Sequence, residues 1–246
     1  MKRTYIYIIG VILLILSGCM YPKEELAKNK VPNEVQMEMV QNAVTKYKEE
    51  TNGLVPIKTK DSDTPIFEKY LIDFSQLKER NLLTEIPANA YENGGVYQYT
   101  LVDPENNPTV KLLDLRTIEA IRNVNVHLNI YRNKHIYPPF DKEVVPGVYT
   151  INYKKLGLDE PANVTSPFSG ESLPIIIDTD GKLYIDYRKD LYDALQTYDH
   201  DFKEGDDIRY ILVENTPFVP AYSLPYTIKN NEPVFFKKII SINKPL

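Results

Sequence analysis

Tyr70-Leu71-Ile72-Asp73-Phe74 and Tyr149-Thr150-Ile151-Asn152-Tyr153 are one short alternating pattern met twice, and this echo decides the expected fold. Around it, Tyr47-Lys48 returns as Tyr131-Arg132, Leu77 as Leu156, Pro87-Ala88-Asn89 as Pro161-Ala162-Asn163, and Asp114-Leu115-Arg116 as Asp186-Tyr187-Arg188. The spacing between echoes shrinks steadily along the chain, as deletions in the loops of a second, shorter copy would produce. The expected unit is a helix, a proline-marked crossing, a short alternating strand and a closing hairpin.

The helix of the first unit is plain. Asn33 stands at a capping position with Gln36 three residues on, Val35, Met39, Ala43, Val44 and Tyr47 recur at helical spacing, and Gly53 supplies a stop, which predicts a helix over 34–51. In the second unit Val124, Val126, Leu128 and Ile130 alternate like a strand, whereas Ile118, Ile121, Val124, Leu128 and Tyr131 fit a helix. Alignment with the first unit favours a helix over 117–132. Ile175 to Ile185, with Asp180-Gly181 at the bend, predicts a hairpin. A third helix is expected over 190–198, and strands over 208–213 and 234–242. Between those strands Pro217, Pro220 and Pro225 suggest a surface loop or sheet edge.

The expected architecture is therefore α+β, with two degenerate helix-plus-antiparallel-sheet repeats and a C-terminal β extension. Its divisions are 1–18, 19–33, 34–116, 117–189 and 190–246.

The start of the chain speaks of location. Lys2 and Arg3 precede an apolar run from Tyr5 to Leu16, broken only by Gly10, followed by small residues and a cysteine. The run is too short for a bilayer span, which takes about 20 residues, and reads as a signal peptide over 1–18. Leu16-Ser17-Gly18-Cys19 matches the lipobox of bacterial lipoproteins at each position. That resemblance implies a diacylglyceryl group on Cys19, cleavage before it, and a protein held on the extracytoplasmic face of the cell membrane. Residues 20–33 mix charge and proline and read as a tether, with a reach of roughly 20 Å as a flexible coil.

The remaining composition excludes several chemistries. Cys19 is the single cysteine, so once lipidated it leaves no disulfide, thiol nucleophile or cysteine-ligated metal. Acidic residues outnumber basic ones, 34 to 29, and loss of Lys2 and Arg3 with the leader makes the balance more acidic still. Neither nucleic acid nor an anionic lipid surface is thus expected as the main partner, since both are bound through clustered Lys and Arg. His127, His135 and His200 lack metal-ligand spacing. The acidic stretch from Asp199 to Asp207 does not follow a calcium-loop pattern. Gly170-Glu171-Ser172-Leu173-Pro174 lacks the last glycine of a nucleophile elbow. No cofactor is expected.

Phe218, Tyr222 and Tyr226, within the proline-rich stretch, are the candidate contact patch, since tyrosine pairs apolar area with a polar tip. Two further resemblances are local or general. A helix ending in Tyr-Lys or Tyr-Arg a few residues before proline (Tyr47 to Pro56, Tyr131 to Pro138) resembles the helix exit of type IV pilins and pseudopilins, which implies a helix packed on an antiparallel sheet. Cys19-Met20-Tyr21-Pro22 and Gly53-Leu54-Val55-Pro56-Ile57-Lys58-Thr59 resemble lipoproteins of endospore-forming Gram-positive bacteria, which implies location and no mechanism. The expected function is a non-catalytic binding or scaffold module with an envelope protein or polymer as partner. The alternatives are the solute-binding component of an ABC-type importer, with a pocket between two lobes, and a cell-envelope polymer hydrolase.

Overall fold

A computed structural model describes residues 33–236. The leader, Cys19 and the tether up to residue 32 lie outside the described residues, as does the C-terminal part of the strand expected over 234–242.

The chain is α+β. In the first segment α1 (Asn33–Glu50) is followed by short helices α2 (Ile66–Lys69) and α3 (Phe74–Glu79) and an antiparallel hairpin of β1 (Tyr97–Val102) and β2 (Thr109–Asp114). Helix α4 (Leu115–Arg132) opens the second segment, which builds a five-stranded sheet. Strands β3 (Phe140–Val145) and β4 (Val148–Ile151) form a hairpin, β5 (Asn163–Thr165) pairs the first half of β6 (Ser172–Asp178), and the second half of β6 lies between β4 and β7 (Leu183–Ile185). Helices α5 (Arg188–Thr197) and α6 (Tyr210–Asn215) and the hairpin of β8 (Tyr226–Lys229) and β9 (Glu232–Phe235) complete the described chain.

Helix α1 ends as expected. Gly53, at φ +100°, donates its N–H to the Lys48 carbonyl, a closure that favours a residue without a side chain. The buried face is rotated from the expected one: Gln36 and Val40 point inward with Ala43, Val44 and Tyr47, while Val35 and Met39 are exposed. The cause is polar. Gln36 Oε1 accepts the Asn89 backbone N–H, and Asn33 Oδ1 accepts from Asn89 Nδ2, so these residues grip the Pro87-Ala88-Asn89 turn.

The Tyr70–Phe74 stretch forms isolated bridges, Ile57 to Ile72 and Leu71 to Thr100, before Phe74 starts α3. In the second segment Val148–Ile151 is a true strand, and Thr150 pairs Ile176 much as Leu71 meets Thr100. Asp73 and Asn152 both accept from the backbone of the helical turn that follows. The ambiguous stretch before Arg132 is helical, with Thr117, Ile121, Val124 and Leu128 buried. The hairpin at Asp180-Gly181 and the helix after Asp186 stand where expected.

One expectation for the C-terminal part is overturned, and a second holds in only one of its two forms. Residues 208–213 are not a strand, because Ile208, Ile211 and Leu212 bury one side at helical spacing and Asp207 accepts the Arg209 N–H at 3.1 Å, starting α6. The proline-rich stretch, expected as a surface loop or sheet edge, is not a surface loop but lies at a sheet edge, Phe218 bridging Leu112 of β2. Val219, Ala221 and Leu224 are buried, and the segment hydrogen-bonds to both sheets: Leu112 donates to the Pro217 carbonyl (2.8 Å), Val219 to the Leu112 carbonyl (3.0 Å) and Ile185 to the Tyr222 carbonyl (2.8 Å). Its prolines leave the required donors free, so they are compatible with this role.

The apolar interior falls into a core around α1, α3, β1 and β2, a larger one around α4, the five-stranded sheet, α5 and α6, and a small cluster between them of Phe67, Leu113, Val213, Val219 and Ala221. This cluster is the seam. Arg209, almost fully buried, crosses it: its guanidinium holds Asp207, donates to Ser223 O and Oγ, and lies 4.9 Å from the Phe67 ring centre.

Asp207-Ile208-Arg209 is the third instance of one local device. In Asp114-Leu115-Arg116, Asp186-Tyr187-Arg188 and here, an aspartate oxygen accepts the arginine backbone N–H (3.0, 3.1 and 3.1 Å) and the same carboxylate grips that arginine's side chain at the head of a helix. Equal geometry in unequal burial predicts unequal cost. Arg209→Ala is expected to lower unfolding free energy by about 2–4 kcal/mol, because buried partners lose their donor. Arg116→Ala removes a guanidinium mostly in water but leaves the buried Asp114 carboxylate only the backbone N–H of residue 116, and is expected to cost about 1–3 kcal/mol. Urea unfolding of the two variants checks the difference.

Candidate functional site

A cavity of about 660 Å³, open to solvent, runs between the β1–β2 hairpin, α2 and α6. Chain-distant elements make its walls. Ile66 and Tyr70 come from α2 and its exit, Val102 to Thr109 from the hairpin turn, Lys111 from β2, and Tyr210, Val213 and Glu214 from α6.

Each wall is fixed by identifiable bonds. Asp103 takes a positive φ of 48°, its carboxylate accepting Asn106 Nδ2 (2.9 Å) and the Asn107 N–H (3.2 Å); the Asn106 bond is foremost in drawing its pKa below the ordinary carboxylate value. Lys48 of α1 ties this turn down by donating to the Glu105 and Asn106 carbonyls. On the facing wall Lys111 Nζ donates to the Thr216 carbonyl at 2.8 Å, so β2 and the end of α6 are joined across the groove. Burial pushes the Lys111 pKa down, and Glu214 acts in the opposite sense. The Tyr210 ring meets Phe67 edge-on at 5.6 Å, and partial burial, with Asp207 adding to it, raises its pKa. Lys69 lies over the Tyr70 ring at 5.7 Å. The groove thus offers two tyrosines, the apolar side chains of Ile66, Val102 and Val213, and the charged groups of Asp103, Glu105, Glu214 and Lys111, a surface suited to holding a polar ligand.

A second cavity, about 380 Å³, is a shallower depression lined by Pro174, Asp186, Arg188, Lys189, Tyr192, Glu232 and Pro233. The closest approach of hydroxyls to a buried carboxylate is elsewhere: Ser166 Oγ and Ser169 Oγ donate to Asp190 at 2.7 and 2.6 Å. Burial raises the Asp190 pKa, and the serine bonds offset part of that rise. Ser166 Oγ also accepts the Phe168 and Ser169 N–H groups, so this set clamps the loop before β6 onto α5.

The expected contact patch is not an exposed surface. Tyr226 is fully buried, its hydroxyl accepting the Tyr187 N–H at 3.1 Å and its ring stacked at 4.8 Å from Phe235. Phe218 and Tyr222 are partly buried; Phe218 packs on Tyr97 and Phe168, and Tyr222, at φ +54°, donates its N–H to Glu68 at 2.8 Å. The three belong to the seam and its flanks because the segment carrying them joins the two sheets. Cys19 lies outside the described residues. Among the histidines, His127 Nδ1 meets the Leu156 carbonyl at 3.1 Å and His135 stacks on Tyr131. Among the described residues no group of three or more His, Cys, Asp or Glu is arranged to hold a metal, and no helix is long and apolar enough to cross a membrane.

The groove residues Tyr70, Lys111 and Tyr210 were missed by sequence reasoning, since nothing local marks them as neighbours. Residues 33–114, from α1 to the end of β2, match the YphF family N-terminal domain. No curated protein and no solved structure matches the chain.

Glu68, beside the groove on α2, gives the site a pH signature. Burial raises its pKa above the ordinary 4.5, against the opposing effects of the Tyr222 N–H, Lys182 and Arg209. A carboxyl whose folded pKa is raised stabilises the fold below its unfolded pKa and loses that contribution as pH rises through the folded value. Glu68→Gln, which can still accept from Tyr222, is therefore expected to be more stable than the parent at pH 7 and to lose the advantage below about pH 4.5. Melting temperatures of both chains across pH 3.5–7.5 test the sign.

Proposed function

We propose that this chain is a lipoprotein anchored through Cys19 on the extracytoplasmic face of the cell membrane, where it acts as a non-catalytic binding or scaffold module for an envelope protein or polymer. The groove between the β1–β2 hairpin and α6 carries this reading, because its walls come from chain-distant elements and its lining mixes tyrosine, apolar, hydrogen-bonding and charged groups. The anchor rests on the lipobox at Leu16–Cys19. A groove formed across the seam would let a ligand contact elements of both segments at once. The matching roles of Leu71 and Thr150, and of Asp73 and Asn152, support a duplicated unit as the origin of that arrangement.

Its volume also falls in the range of small-molecule sites, which favours the importer receptor as second reading. The two differ in what occupies the groove. In-cell crosslinking from a photoreactive residue replacing Asn107 is expected to trap one envelope component, whereas recovery of an importer permease would favour the receptor. Tyr70→Ala with Tyr210→Ala is expected to reduce the crosslinked product about tenfold, the loss of roughly 1.4 kcal/mol at an aromatic contact. The protein should stay in the membrane fraction. Cys19→Ala should abolish the lipid-modified N-terminal mass while leaving the groove intact; an unmodified N-terminus in the parent chain would remove the anchor from the proposal.

A further inference from the structure

Helix α4 ends in an exposed corner that neither the seam nor the groove explains. Val126 and Ile130, one turn apart, are 52% and 60% exposed, and beyond the helix Ile136 and Tyr137 are 86% and 75% exposed. Single exposed apolar residues need no explanation, but this concentration at one helix end does. Arg132 and Lys134 lie between them, both exposed, in a chain whose formal net charge is −5.

The corner is built firmly. Pro138 and Pro139 are buried directly after Tyr137, the Pro139 carbonyl accepts the Asn152 N–H at 2.8 Å, and Phe140 donates to the Pro138 carbonyl at 2.8 Å. On the helix side His135 stacks on Tyr131 with ring centres 3.9 Å apart, and Arg132 Nη1 donates to the Asp180 carbonyl at 3.1 Å. Ile136 and Tyr137 are thus held out by a loop braced at both ends.

We infer that this corner, Val126, Ile130, Ile136 and Tyr137 with Arg132 and Lys134, seats on a lipid bilayer containing anionic headgroups. An isoleucine 86% exposed stands on a projecting tip, which a fluid interface can accept without a complementary pocket. Tyrosine favours the headgroup level, and Arg and Lys beside the apolar tip attract anionic lipid. The bilayer is near on the reading above, which this inference uses for proximity alone: the proposed anchor Cys19 stands 14 residues before Asn33, the first described residue. Anchor and corner together would orient the domain, where a single point of attachment would not.

The chain contains no tryptophan, so Ile136→Trp installs a single reporter. The full-length protein carrying it is reconstituted into phosphatidylcholine vesicles with and without phosphatidylglycerol, and the N-terminal mass of the same preparation is recorded. The expected result is emission shifted to shorter wavelength and quenched by bromine on the lipid chains, more strongly with phosphatidylglycerol, with Tyr91→Trp as an unquenched reference. Arg132→Gln with Lys134→Gln in the reporter chain is expected to reduce the quenching. Water-like, unquenched emission at saturating lipid overturns the inference. So does a shift that follows protein concentration without lipid, which would assign the corner to a second copy. Failure of the anchor would show separately in the N-terminal mass.

Discussion

A single segment, Pro217 to Ser223, holds the two halves of this protein in register. Hydrogen bonds with Leu112 attach it to β2, the Ile185–Tyr222 bond attaches it to β7, and Val219 and Ala221 fill the space between the cores. Hydrogen bonds of this kind are modest individually, at about 1 kcal/mol net. Their weight comes from position. Without them each sheet would present an edge and an apolar flank to water, and the cluster around Phe67 would lose two of its members.

The same seam shapes the groove. Successive residues of α2 face three ways: Ile66 into the groove, Phe67 into the seam cluster, and Glu68 toward the Tyr222 N–H. Arg209 immediately precedes Tyr210, so the cation stacked on Phe67 also sets where the facing wall begins. A ligand in the groove would therefore bear on residues that decide how the halves meet. Buried charge at such a place costs desolvation, which Arg209 recovers through Asp207 and Ser223, while Glu68 recovers only part of it.

The α+β class, the three long helices and the hairpin at Asp180-Gly181 were legible because each is written in local periodicity and turn chemistry. The rotated face of α1 was not, since Gln36 is drawn inward by Asn89, a partner far along the chain. The short helix after Asp207 was within reach: its Asp-x-Arg signature repeats those at 114 and 186, but β-branched residues at 208–213 suggested a strand. The proline-rich stretch misled in a different way. Proline removes a donor, and the bonds that matter there run from Val219 and to the carbonyls of Pro217 and Tyr222, none of which a proline nitrogen needs to supply. Groove membership depended wholly on where that segment lies, so no reading of neighbouring residues could assemble Tyr70, Lys111 and Tyr210.

The pairing of Leu112 with Pro217 also carries a temporal consequence. A chain delivered from its N-terminus presents β2 to solvent for as long as the following hundred or so residues take to arrive, and closing so distant a contact is intrinsically slow. The first half thus remains unfinished until nearly the whole polypeptide is present. On the proposed export through a translocation channel, such late completion would work against premature folding on the wrong side and would place the moment of final assembly after delivery.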